Sequence, residues 1–233
     1  LRLIAPIGEN TSLQTSLRAF DDRRSRGVPF SANRNSGVDG SLRLVHLPGS
    51  ADWQWIALGY VQLREFASPF PAIAADRASF TPTLDQFDVP ATGLGARLEV
   101  RPPMGPQWQL RLGGDWRLNT GRTREDFTFL AGSATRNREA GGRSDQTGAF
   151  AELSHDVGAA LISLSGRLDR WVLSQGFRRE QLRGHGGSLE RRLGLEGLPS
   201  GMSRWAAKAK KQTQTGDGGS ARVCRARREH RSQ

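Results

Sequence analysis

From Gln107 to Asn119 the chain reads Q-W-Q-L-R-L-G-G-D-W-R-L-N, and its side chains alternate. Trp108, Leu110, Leu112, Gly114, Trp116 and Leu118 take the even positions; Gln107, Gln109, Arg111, Asp115, Arg117 and Asn119 take the odd ones, with Gly113 neutral. Successive residues of a strand point to opposite faces, so this spacing predicts a β-strand with one apolar and one polar face. Trp108 and Trp116 share the apolar face at a separation of about 26 Å along the strand, or about 20 Å of height if it tilts by about 40°. That approaches the height of the apolar band of an outer-membrane barrel, which carries an aromatic girdle at each interface. A half-buried strand of a soluble sandwich alternates in the same way.

The same period recurs along the first 180 residues. Leu1–Ala5 reads as a strand, Pro6–Asn10 as a turn, and Thr11–Asp22 as a second strand with Leu13, Thr15, Leu17 and Ala19 on one face. Ser41–Leu47 is short and stops at Pro48-Gly49-Ser50; Trp53–Phe66 follows with Trp53, Trp55, Ala57, Val61 and Leu63 on one face. Thr92, Leu94, Ala96, Leu98 and Val100 alternate with Gly93, Gly95, Arg97, Glu99 and Arg101 before the Pro102–Pro106 turn. Thr147–Ser154 and the stretch from Ala160, whose Ile162, Leu164, Gly166 and Leu168 face away from Ser163, Ser165, Arg167 and Asp169, complete eight strands by Trp171. Between them short turns alternate with polar connections expected over residues 23–40, 67–90 and 121–146. Compact soluble domains seldom use loops of that length. Outer-membrane barrels place short turns on one rim and long loops on the other.

Composition sharpens this picture. The 233 residues carry a net charge of +11, but residues 1–180 hold 22 Arg against 19 Asp and Glu, a net +3. Residues 181–233 hold 12 Lys and Arg against 4 Asp and Glu, a net +8, with all three lysines and Cys224. The basic character therefore belongs to the C-terminal segment. Its one aromatic, Trp205, argues against nucleic-acid binding, which interleaves stacking residues with charge. A single cysteine excludes an internal disulfide framework, and no run is long and apolar enough for a membrane helix. From Leu1 onward the sequence reads as strand, and no charged-then-apolar leader is expected in it.

Catalytic, cofactor and metal sites are not expected. His46, His155, His185 and His230 are far apart, no G-x-S-x-G elbow occurs, and Gly93-Leu94-Gly95 lacks the rest of a dinucleotide fingerprint. The residues singled out are Arg97, Glu99, Arg111, Asp115, Arg117, Arg167 and Asp169, which would face a barrel lumen as a cross-strand charge ladder or as a polar wall contacting a plug or substrate. Trp53, Trp55, Trp108 and Trp116 are the expected lipid-facing girdle.

The segments L-R-L-G-G-D-W-R-L-N-T-G-R-T-R-E-D, A-G-G-R-S-D-Q-T-G-A-F-A-E and L-S-G-R-L-D-R-W, between Leu110 and Trp171, resemble the barrel domain of TonB-dependent outer-membrane receptors. T-G-R-T-R-E and G-A-F-A-E are their most specific parts; residues 1–70 match in strand rhythm only. The resemblance implies an all-β, antiparallel, 22-stranded transmembrane barrel closed around a plug domain in the Gram-negative outer membrane. It also implies energy from the TonB complex and a large scarce nutrient as ligand: a ferric siderophore, cobalamin or an oligosaccharide. Against that pattern the chain shows about eight strands, no plug and no TonB box, so the expectation is a partial barrel over residues 1–180 that transports nothing by itself. Residues 181–233 are expected to be a basic tail, disordered or partly helical, or out-of-frame translation. The rival readings are a soluble or secreted β-rich binding protein whose basic arm meets nucleic acid or anionic lipid, and a piece of a non-gated porin.

Overall fold

The computed structural model describes residues 1–183, together with the backbone of 188–191 and 204–211. Among these, eight strands follow one another: β1 (Arg2–Gly8), β2 (Thr11–Arg24), β3 (Asn33–His46), β4 (Gln54–Ile73), β5 (Phe80–Arg101), β6 (Trp108–Leu130), β7 (Ser133–Val157) and β8 (Ala160–Leu182). Each pairs antiparallel with the next, in chain order, to make one open sheet. The free edge of β8 carries two further strands, β9 (Ser188–Arg191) beside residues 178–181 and β10 (Arg204–Lys211) beside residues 160–167. There is no helix among the described residues.

Strand backbones lie close only to those of their hydrogen-bonded neighbours, so the sheet is a single layer. Among the described residues Val45, at 9% exposure, is the sole buried hydrophobic side chain, whereas Leu17, Leu42, Leu98, Leu164 and Leu168 are each about half exposed. The alternation legible in the sequence therefore sorts side chains onto two faces without building a core between layers. Successive register partners place Leu17, Gly40, Val61, Leu94 and Leu118 in one row of the apolar face.

The strands are staggered. The row Thr11, His46, Trp55, Val100, Leu112, Ala151, Gly166 crosses the sheet from β2 to β8. Thr11 is the first residue of β2, whereas Gly166 is six residues beyond the start of β8. The short-turn ends thus slip by about one residue per strand step, about 3.3 Å of rise against about 4.8 Å of spacing, an inclination of about 35°.

Two expectations are corrected. The polar stretches 23–40, 67–90 and 121–146 are for the most part not loops: β2 to β8 run into them, leaving connections of only 25–32, 74–79 and 131–132. From β5 to β8 the pairing there sets Asp88 against Arg124, Arg124 against Glu139, Glu125 against Arg138 and Arg138 against Glu180, and bulges at Phe66/Ser68, Gln86/Asp88 and Gly141/Arg143 shift the side-chain parity and hide the period. Likewise Pro6–Gly8 belongs to β1, and the turn is Glu9–Asn10 alone. Of residues 181–233, expected as a basic tail, β8 takes 181 and 182 and the described backbone at 188–191 and 204–211 is strand; the rest of that expectation lies outside the described residues. An unpaired strand edge is a template for further strands; in β10, Trp205, Ala207 and Ala209 are the register partners of Gly166, Leu164 and Ile162. The Arg222–Arg231 cluster lies outside the described residues.

Candidate functional site

The seven charged residues expected on one face are brought together on β5, β6 and β8. Odd positions of β5 and β6, even positions of β7 and odd positions of β8 below its bulge share the polar face, as the pairs Arg97–Asp115, Asp115–Gly148 and Gly148–Asp169 show. Glu99 is 8% exposed and lies between two arginines of its own strand. Arg97 Nη2 donates to its Oε2 at 3.2 Å, and Arg101 donates Nε and Nη2 to its Oε1 at 3.3 and 2.9 Å. Arg111 Nη2 donates to Glu152 Oε2 on β7 at 2.7 Å.

Arg167 reaches across a whole strand. From β8 it passes over β7 to Asp115 on β6, donating Nη1 to Oδ2 at 2.8 Å and Nη2 to Oδ1 at 3.1 Å, while its Nε holds Asp169 at 2.9–3.0 Å. It can cross because the intervening β7 position is Gly148; a Cβ there would overlap the guanidinium. The same device recurs at Gly113, which Phe150 covers, and at Gly95, which Tyr60 covers. Phe150 in turn lies under the guanidiniums of Arg97 and Arg111, at 5.4 and 5.7 Å. Arg117 is the outlier of the seven, 4.0 Å from Asp115 and more than half exposed.

No family model matches this chain, and neither a curated protein nor a solved structure is a match to it.

On the opposite face, aromatic residues gather at the short-turn rim. Trp55 at the start of β4 stacks on its partner His46, centroids 5.5 Å apart, and Trp108 at the start of β6 stacks on His155 at 3.9 Å. Thr11 and His46 Nδ1 share a hydrogen bond of 2.7 Å. Trp116 sits eight residues farther up β6 on the same face and donates Nε1 to Asp145 Oδ2 at 3.3 Å. Trp53 precedes β4, so the pairing that orients the other three does not orient it.

Beyond the apolar rows the sheet continues as a charged double-sided wall. On the face shared with Asp115, Glu125 (5% exposed) pairs with Arg138, which also approaches Glu180 at 3.7 Å, and Gln86 donates to Glu125 at 3.3 Å. Arg178 holds the Glu180 carboxyl below the usual carboxylate range, with Arg138 and Arg136 adding to the effect. On the other face Arg124 bridges Asp88 and Glu139 at 3.0 and 3.4 Å. There Asp85 stands opposite Asp126, and burial, reinforced by that like charge, pushes its carboxyl up. The connection 25–32 folds back: Arg26 donates to the fully buried Ser68 Oγ at 2.8 Å and lies over the Phe70 ring.

Sequence reasoning missed Arg101, Glu152, Phe150 and the Glu125–Arg138–Glu180 cluster. The first three were within its reach, because the alternation that selected Arg97 and Arg111 also puts them on the polar face. The last depends on the bulge in β8, which no periodicity reveals. Among the described residues no group of His, Cys, Asp and Glu is arranged to hold a metal.

Proposed function

We propose that this chain is an arc of an outer-membrane β-barrel wall, its apolar face toward lipid and its ion-pair face toward the lumen. The observation that carries the reading is the sheet itself: a single staggered layer whose apolar rows are exposed while its polar face is knit by arginine–carboxylate pairs. From Trp108 to Leu118 those rows span about 33 Å along the strand, or about 27 Å of height at an inclination of about 35°, close to the height of an outer-membrane apolar band. The inclination falls in the range such barrels use. Strands of 20–25 residues, as in β4 to β8, exceed both the usual globular length and the span of a bilayer. They fit hairpins that rise past the membrane on one side.

The specific assignment to a TonB-dependent receptor rests on the T-G-R-T-R-E and G-A-F-A-E segments of β6 and β7. On that reading the intact parent takes up a large scarce nutrient such as a ferric siderophore, cobalamin or an oligosaccharide, with a plug domain and the TonB complex as partners. The lattice around Glu99 and Asp115 stiffens the wall that the plug meets. In lipid the open edge of β1 requires a neighbouring strand, because unsatisfied backbone groups there are costly.

Fractionation tests the reading. Membranes of cells making the full chain are washed with alkaline carbonate and with urea, and outer and inner membranes are separated by density. Retention in the outer-membrane pellet is expected. Release into the supernatant sinks the membrane reading and leaves the soluble β-rich binding protein standing.

A further inference from the structure

We propose that the apolar face carries a binding site for one phosphorylated, acylated lipid of the surrounding leaflet, with Arg143 and Arg170 holding the phosphate and a hollow below Trp116 taking an acyl chain; the proposal rests on the membrane-wall reading above. One row of this face runs Leu42, Gly59, Ala96, Trp116, Thr147, Arg170 through successive register partners. The next row toward the short-turn rim runs Leu44, Ala57, Leu98, Gly114, Ala149, Leu168. Small residues at Ala57, Gly59, Ala96 and Gly114 leave a depression of about 640 Å³, walled by leucines on one side and closed above by Trp116. Membrane-facing surfaces are ordinarily filled with bulky side chains. These four small positions at mid-height make a shallow, open depression instead.

Directly above, Thr147 lines both this hollow and a second cleft of about 320 Å³, bounded by Arg143, Asp145, Arg170, Ser174 and Gln175. Its polar content is the argument for a phosphate. Asp145 is already engaged, accepting from Trp116 Nε1 and from Arg143 Nη2, each at 3.3 Å. Arg170 is exposed and makes no ion pair among the described residues. Two guanidiniums against one carboxylate leave a surplus positive charge, and a planar guanidinium suits phosphate. The bulge of β8, with Gln175 at φ 53°, borders the cleft.

The heights agree with a headgroup over a chain. Arg170 is ten residues above the start of β8, which at about 35° of inclination is about 27 Å from the short-turn rim. Trp116, eight residues above the start of β6, is at about 22 Å. An apolar band of about 25 Å therefore ends between them, with guanidiniums at the headgroup level and the hollow within the acyl layer.

The test uses the full chain in phosphatidylcholine vesicles and reads Trp116 fluorescence as the difference between the native chain and W116F. In one arm all the phosphatidylcholine is brominated on its acyl chains; in the other a minor fraction of brominated phosphatidate is mixed into plain phosphatidylcholine. Quenching of Trp116 several-fold stronger per mole of phosphatidate is expected, with R143Q/R170Q losing that preference while still being quenched by brominated phosphatidylcholine. The single variant R170Q, which leaves the Arg143–Asp145 pair in place, is expected to weaken the preference and serves if the double variant does not insert. Equal quenching per mole by both lipids overturns the lipid site alone. Absence of quenching by either lipid overturns both the site and the membrane reading.

Discussion

The rings of Trp108 and His155 stack at 3.9 Å, 17° from parallel, joining the first residue of the β6 pairing to the end of β7. His155 Nδ1 also lies 3.2 Å from the Gln107 carbonyl, which in turn accepts the Asp156 N–H at 2.8 Å. Two rings, a turn carbonyl and a strand terminus thus lock one corner of the sheet. W108A removes the stack and the apolar area with it, and is expected to cost about 1–3 kcal/mol. W108F should recover part of that. Urea unfolding of the vesicle-inserted chain measures both, and a null effect of W108A would mean that the rim is not closed by this pair.

The Arg167–Asp115 bond crosses a strand, so it is expected to couple β6 to β8 more strongly than an ordinary surface pair. With Arg167 about a third exposed, D115N should cost about 1–2 kcal/mol after discounting for solvent. In a double-mutant cycle with R167Q the coupling should be roughly 0.5–2 kcal/mol. Additive single effects would show that the two side chains do not act together.

Gly148 and Gly113 are each expected to reject a methyl group, at a cost of about 1–3 kcal/mol for overpacking. In G148A the added Cβ meets the Arg167 guanidinium, so the loss should shrink in an R167A background. In G113A it meets Phe150 and, at 2.9 Å, the Leu98 carbonyl. F150A therefore relieves it only in part. Stability measured in these four backgrounds separates the two cases.

Acid should act oppositely on two carboxylates of the upper wall. Glu180 is held below its unfolded value of about 4.3, so its contribution is present above that value and disappears as pH falls through the lower, folded one. Asp85 is raised above about 3.9; its ionisation opposes the fold at neutral pH, and that opposition lifts as pH falls through the raised value. E180Q is therefore expected to lower the urea midpoint at pH 7, by a margin that narrows as pH falls. D85N is expected to raise it at pH 7. Midpoints taken from pH 3 to 8 check both signs.

Much of the sheet was legible because one face of the strands is apolar over the ten or so residues nearest the short-turn rim. Leu94 through Val100 and Trp108 through Leu118 carry period two with hardly an exception, and that period assigns Arg97, Glu99, Arg111 and Asp115 to a common face. Above Leu118 both faces are polar, so Arg122, Arg124 and Glu125 show no contrast to read, and the strand continues on cross-strand charge pairs instead. A residue-by-residue pattern also cannot show that Gly148 is a passage for an arginine from the next strand. Nor does it show that Arg204–Lys211, lysine-rich in composition, pairs along the open edge of β8.

The glycines under Tyr60, Phe150 and Arg167 have a consequence for the shape of the bore. A side chain that lies down over a glycine occupies little radial depth, so three of the largest groups on the polar face tile the wall rather than project from it. If that face lines a lumen, β5 to β7 offer whatever fills it a smooth, wide-gauge surface of ring faces and guanidinium planes, one along which a snug body can slide without being caught on side-chain tips.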